Sequence, residues 1–103
     1  MKIQKNFDGK NLALAASVLK GMANARRLRV LCMLEGGEMC VGKMAKAVGL
    51  SQSALSQHLA RLRADGLVSS RKEAQTVYYR LASPAVAAVI ATLKTHFCEG
   101  EKT

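Results

Sequence analysis

Residues 50–81, LSQSALSQHLARLRADGLVSSRKEAQTVYYRL, constrain the fold more than any other stretch of this chain. Leu55, Leu59 and Leu62 recur at i, i+4 and i+7 and so share one face of a helix. Ser51 stands where an N-cap hydroxyl can accept from a free backbone N–H. Asp65 and Gly66 mark the stop, because glycine takes the left-handed C-terminal conformation at little cost. Gln52, Ser53, Ser56, Gln57 and Arg61 are left to the other faces, with His58 on the flank. Alone, such a surface is the solvated side of an ordinary amphipathic helix. The segments on either side change that reading.

Upstream, residues 41–49 read VGKMAKAVG, with Met44, Ala45 and Val48 at helical spacing and Gly49 at the end. Two helices joined by a tight glycine turn make a helix-turn-helix, here residues 42–64, whose second helix enters the DNA major groove. Downstream, residues 67–70 and 76–81 are rich in β-branched and aromatic side chains and read as paired strands. They form a wing over residues 67–81, with Arg71, Lys72, Glu73 and Ala74 expected at its tip and Gln75 beside them. A basic tip can lie over phosphates or in the minor groove. A solvated turn is the bland alternative. On the helix, glutamine suits adenine N6 and N7, arginine suits guanine O6 and N7, and serine suits either. The expected DNA-facing set is therefore Gln52, Ser53, Ser56, Gln57, His58 and Arg61, with Arg71, Lys72 and Gln75 from the wing.

The charge agrees. Sixteen Lys and Arg face seven Asp and Glu, a formal net charge of +9, which calls for a polyanionic partner. An anionic membrane surface is the competing partner, but no segment reaches the roughly 18 apolar residues of a spanning helix. The 103 residues suffice for one domain with one modest core, and half of them are hydrophobic, which argues against disorder. Lys2, Lys5 and Lys10 before the apolar run 12–19, with Ala23, Asn24 and Ala25 after it, imitate a secretory signal. Asp8 within the basic start and Lys20 directly after the run speak against one, so a cytoplasmic protein is expected.

The apolar run is read instead as a true helix over residues 11–22, capped near Asn11 and apolar on most sides. A second helix follows from about Asn24 to Glu35, with Ala25, Leu28, Leu31 and Cys32 on one stripe and Gly36 and Gly37 at its end. A short strand is possible at residues 39–41. The last helix, within residues 84–98, opens on a Ser83 cap and Pro84, and Val86, Val89, Ile90, Leu93 and Phe97 line one side of it. The fold class is mainly α with a small β-hairpin, a winged helix-turn-helix in one domain spanning residues 1–103. So small a domain cannot surround its own first helix. A homodimer joined through residues 11–22 and 84–98 is expected.

The chain has three cysteines, Cys32, Cys40 and Cys98, and only two histidines, His58 and His96. No CxxC, glycine-rich phosphate loop or carboxylate pair occurs, so neither an enzyme nor a cofactor is expected. Each cysteine by itself reads most simply as a small hydrophobe. Lys94, one turn before Cys98, is placed to favour its thiolate.

From about Ala13 to Cys98 the chain resembles the ArsR/SmtB family of bacterial winged-helix repressors. MANARRLRVLCML is similar to the family's second helix and LSQSALSQHLARLR to its recognition helix. Within the family it looks most like the HlyU, BigR and SqrR group of thiol-based sensors of reactive sulfur. The segment RKEAQTVYYRL is similar to the wing of HlyU-type members. That group pairs a cysteine in the second helix with one near the end of the last, positions matched here by Cys32 and Cys98. The resemblance implies an inverted-repeat operator bound by the reduced homodimer and released when persulfide or polysulfide chemistry links the two thiols. NolR-type regulators share the recognition segment without the thiol pair.

Metal sensors of the family carry ELCVCDL before the third helix. Here the segment is EMCVGKM, with Gly42 for the second cysteine and Lys43 for the aspartate, so no metal is expected. The Asp-x-His pair of the other metal sensors is missing from residues 83–97. Cys40 is expected to be dispensable. The alternatives are a general oxidant or electrophile sensor, an HlyU-like anti-silencing regulator and, from another class, a basic membrane or protein-interaction module.

Overall fold

The computed structural model describes residues 8–98. Lys2 and Lys5 of the signal-like start, and the tail 99–103 expected to fray, lie outside the described residues. The elements run α1 (Gly9–Met22), α2 (Ala25–Glu35), β1 (Met39–Cys40), α3 (Val41–Val48), α4 (Gln52–Ala64), β2 (Val68–Glu73), β3 (Thr76–Leu81) and α5 (Pro84–Phe97). Five helices and a small antiparallel sheet give the expected winged helix-turn-helix.

Local chemistry sets the helix ends. Asn24 Oδ1 accepts from the N–H groups of Arg26 and Arg27 to start α2. Ser83 Oγ accepts from Val86 N, with Pro84 as the first residue of α5. The first helix begins earlier than its sequence suggests. Asp8, not Asn11, is its cap, accepting from Asn11 N at 2.7 Å. A carboxylate at that end also interacts favourably with the positive end of the helix dipole, which the Asn11 amide does not.

The sheet is three-stranded, in the order β1-β3-β2 with both pairings antiparallel. Arg71 to Glu73 belong to β2 rather than to the tip: Arg71 pairs with Tyr78, Lys72 with Val77 and Glu73 with Thr76. The tip is therefore only Ala74 and Gln75, with Ala74 held at φ 56. The short strand at residues 39–41 contains Met39 and Cys40 alone, paired with Tyr79 and Tyr78, because Val41 already opens α3.

The core lies where α2, α3, α4, α5 and the base of the wing meet. Val30, Leu31, Leu55, Leu59, Leu62, Leu67, Val86 and Ile90 are fully buried, with Met44 among them. Each such side chain contributes about 1.5–3 kcal/mol over its exposed state. On α2 the innermost residues are Val30, Leu31 and Leu34; Leu28 and Cys32 are half-buried, and Ala25 is exposed because it sits in the first turn beside the cap. On α1 only Gly21 and Met22 are buried. Gly21 packs against Leu67 so closely that a Cβ would collide with Leu67 Cδ1, and its carbonyl accepts from Arg27 Nε at 2.9 Å. The rest of the apolar surface stays open: Leu12 is 56%, Leu14 59%, Leu19 57% and Phe97 73% exposed. An apolar cleft of about 220 Å³ runs between α1 and α5, lined by Ala15, Val18, Leu19, Ala85 and Val89.

Candidate nucleic-acid interface and thiol cluster

The turn between α3 and α4 is set by Gly49, at φ 72, whose N–H returns to Ala45 O at 3.0 Å. Ser51 Oγ then accepts from Ala54 N at 3.1 Å and starts α4. At the far end the Gly66 N–H bonds Arg63 O and the Leu67 N–H bonds Leu62 O, the paired closure that a left-handed glycine permits. Leu55, Leu59 and Leu62 anchor the inner face of α4. Gln52, Ser53, Ser56, Gln57 and Arg61 are all exposed, and His58 is half-buried on the flank. Among the described residues, the side-chain partners of these outward groups are Ser51, whose hydroxyl lies 3.4 Å from that of Ser53, and Asp65, paired with Arg61 at 3.4 Å. A row of short amide and hydroxyl groups on a rigid helix can present donors and acceptors to base edges.

The wing stands beside this helix. Gln75, Thr76 and Val77 line one groove, of about 410 Å³, together with Gln52 and Ser56 of α4 and Cys40, Val41 and Gly42. The fold thus brings the Gln75 tip to the same groove as two residues of the α4 set. A neighbouring groove adds Lys43 and Lys46 of α3, both exposed, next to Gln52. These two lysines were not in the DNA-facing set expected from sequence, although their i, i+3 spacing is readable there. Lys72 is exposed on β2. Arg71 is differently placed: it pairs with Glu38 at 2.8 Å and Glu73 at 2.7 Å, and those carboxylates hold its guanidinium protonated well above its ordinary range.

A second cluster lies between α2 and α5, which pack together. All three cysteines are free thiols; Cys32 and Cys40 are half-buried and Cys98 is exposed. Cys32 is raised above its ordinary pKa, first by burial, then by the charges of Cys98 and Glu35, against a lowering by Lys94. Cys98 therefore lies near enough for its charge to act on Cys32. Lys94 acts on the Cys32 thiol. Its Nζ donates to Glu35 Oε1 at 2.9 Å, and its own pKa is raised by Glu35 first, then by both thiols. Glu35 was not anticipated from sequence, because its partner is 59 positions away. His96 is exposed, and Cys40 sits apart, at the N-cap of α3. Among the described residues no three His, Cys, Asp or Glu converge as a metal set. No helix of the described residues is long and apolar enough to cross a membrane.

A glycine-turned helix pair carrying an outward polar face, flanked by a basic β-wing, defines a winged helix-turn-helix DNA-binding protein. Comparison with known proteins narrows the class. Residues 24–70 match the bacterial regulatory protein, arsR family. The transcriptional activator HlyU of Vibrio cholerae is 55% identical over 93 residues, covering 90% of this chain and 86% of the relative. Its reduced structure superposes with a TM-score of 0.84 at 57% identity, over 87% of this chain and 95% of that one. The transcriptional repressor BigR of Xylella fastidiosa gives 0.81 at 35% identity, over 86% and 91%. The homodimeric winged helix-turn-helix domain of Mb0332 from Mycobacterium bovis gives 0.79 at 34% identity, over 99% and 94%. The chain belongs to the ArsR family and is a transcriptional regulator related to HlyU and BigR.

Proposed function

We propose that this regulator is a homodimeric, thiol-switched repressor that binds an inverted-repeat operator when reduced and releases it when Cys32 and Cys98 become linked. The observation that carries this reading is the α2–α5 cluster, in which two thiols distant in sequence share one neighbourhood with Lys94 and Glu35. The exposed Cys98 thiolate attacks the terminal sulfur of an inorganic polysulfide. A shorter polysulfide leaves with the electron pair, and Cys98 becomes a persulfide. The Cys32 thiol then gives up its proton, attacks the inner sulfur and expels hydrogen sulfide, leaving a disulfide. Where a longer sulfur chain stays on Cys98, the Cys32 thiolate attacks a sulfur further out, the S–S bond beyond it breaks, hydrosulfide or a shorter hydropolysulfide leaves with the electron pair, and a bridge with extra sulfur remains. Such a bridge spans more than the roughly 7 Å between Cα atoms that a bare disulfide allows.

Dimerisation would cover Leu12, Leu14, Leu19 and Phe97, and the Mycobacterium bovis domain is a homodimer of the same fold. Two copies of α4 would then meet half-sites about one DNA turn apart, and a tie between α2 and α5 would alter their spacing. Gln52, Ser53, Ser56, Gln57, His58 and Arg61 would serve the major groove, with Lys72 and Gln75 on the wing.

The test is a gel shift with polysulfide on wild type, Cys32→Ser, Cys98→Ser and Cys40→Ser, with mass spectrometry of each product. Wild type and Cys40→Ser should release DNA; Cys32→Ser and Cys98→Ser should hold it. Normal release by Cys98→Ser, or loss of response only in Cys40→Ser, sinks the reading. A second reading has a specific observation behind it. The relative at 55% identity is named an activator, so the same DNA binding can raise transcription by displacing a silencing protein. In vitro transcription with and without a nucleoid silencer separates the two.

A further inference from the structure

Arg71 is half exposed, yet its donors are taken up by carboxylates of its own chain. Nε and Nη2 donate to Glu38 Oε2 and Oε1 at 2.9 and 2.8 Å, a two-pronged pair, and Nη1 donates to Glu73 Oε1 at 2.7 Å. The guanidinium carbon lies 4.5 Å from the centre of the Tyr78 ring. The sheet order gives this arrangement its meaning. Arg71 is on β2 and Tyr78 on β3, directly opposite it, while Glu38 immediately precedes β1 on the other side of β3. The arginine therefore crosses the central strand, resting on the tyrosine ring, to reach the far edge of the sheet.

That far edge leads straight into the reading head. Cys40, two residues after Glu38, is the N-cap of α3, and α3 packs on α4. One side chain thus ties the outer strand of the wing to the segment from which the helix-turn-helix starts. A planar fork gripping a carboxylate fixes direction as well as distance, which an ammonium does not.

We infer that Arg71 is a positioning residue that clamps the wing to the helix-turn-helix through Glu38, and not a phosphate ligand. The inference rests on the DNA-binding reading. It makes a prediction whose sign plain electrostatics reverses. Glu38 is a negative charge on a protein that binds a polyanion, so removing it should strengthen DNA binding if long-range charge is all that matters. As the anchor of a clamp, its removal weakens binding.

The experiment uses the full chain and two probes: a fluorescent duplex that the wild type selects from a random pool, and a scrambled duplex of equal composition. Affinity is measured by anisotropy across a salt titration for Arg71→Ala, Arg71→Lys, Glu38→Gln and the double variant E38Q/R71A. Thermal melts run in parallel, and binding is read well below each midpoint so that every variant is folded. The clamp predicts that Glu38→Gln and Arg71→Ala each weaken the selected duplex by about tenfold, and that the double variant is no worse than the worse single. Arg71→Lys, which keeps the charge and loses the fork, should lose nearly as much, and all four should keep the wild-type salt slope. The proposal is overturned if Glu38→Gln binds as tightly as wild type or tighter, or if Arg71→Ala flattens the slope by about one while Arg71→Lys restores it. A wild type that enriches no duplex at all refutes the DNA-binding reading itself, a result distinct from either.

Discussion

Lys94 Nζ donates to Glu35 Oε1 at 2.9 Å, joining α5 to α2 one turn from Cys98 and one turn from Cys32. The pair faces outward enough that its own worth to stability is small. Its effect on the thiols is another matter. Among the described residues it is the Lys94 charge that pulls the Cys32 thiol down, against burial and the charges of Cys98 and Glu35. Removing that charge in Lys94→Gln should leave less thiolate on Cys32 near neutral pH and slow its alkylation by about threefold. Glu35→Gln should speed it, because the lysine is freed and a negative charge is gone. Iodoacetamide labelling of each cysteine, followed by mass spectrometry, reads both changes; equal rates in all three proteins would refute the coupling.

Cys32 also gives the fold a defined pH response. Its thiol is raised in the folded chain, chiefly by burial, so the fold favours the neutral form. The resulting stability is complete below the ordinary thiol pKa and is lost as the pH rises through the higher, folded value. Denaturation midpoints of the reduced protein should therefore fall on the alkaline side of the thiol range, and Cys32→Ala should flatten that fall. Cys98, being exposed, should be the first thiol modified at every pH in the series.

Features held by neighbours in sequence are readable in the sequence itself. The caps Ser51 and Ser83, the turn glycine Gly49, the left-handed Gly66 and the leucine face of α4 each follow from spacing along one helix or turn. The missed features are long-range or ambiguous. Asp8 and Asn11 are both good caps, and only the bond between them shows which one acts. The RKE run looked like a turn because polar residues hide strand alternation; pairing to Thr76, Val77 and Tyr78, and the Arg71–Glu38 pair 33 positions apart, make it strand. The two thiols could be paired from sequence only through family resemblance, whereas the Lys94–Glu35 bond between their helices had no sequence signal.

The open apolar faces of α1 and α5 predict a dimer that a single charge should split. Leu14 and Leu19 are exposed, and Leu19 lines the cleft between the two helices. An ionised side chain desolvated there would have no partner among the cleft's apolar walls. Light scattering after size exclusion should give about twice the 11.1 kDa chain mass for wild type and close to one chain mass for Leu19→Glu. Loss of two-site binding should then weaken operator affinity by about a hundredfold, with each recognition helix intact. A monomeric wild type at micromolar concentration would refute the dimer, and a dimeric Leu19→Glu would place the interface elsewhere.

Gln57 and Lys72 should fail in different ways when removed. Gln57 is exposed on α4 with no recorded side-chain partner, suited to a base edge; Lys72 is an exposed cation on β2 whose strand neighbour across the ladder is Val77. A lost base contact costs about 1–3 kcal/mol and relaxes preference at one position, leaving the salt slope unchanged. A lost phosphate contact weakens every sequence alike and flattens the slope by about one. Gln57→Ala should therefore lose affinity for the selected duplex and little for the scrambled one. Lys72→Ala should lose the same factor on both, and lose it most at low salt. Titrating both variants on both duplexes separates the roles, and equal losses with equal slopes on both DNAs would show that the wing and the helix do not divide the work in this way.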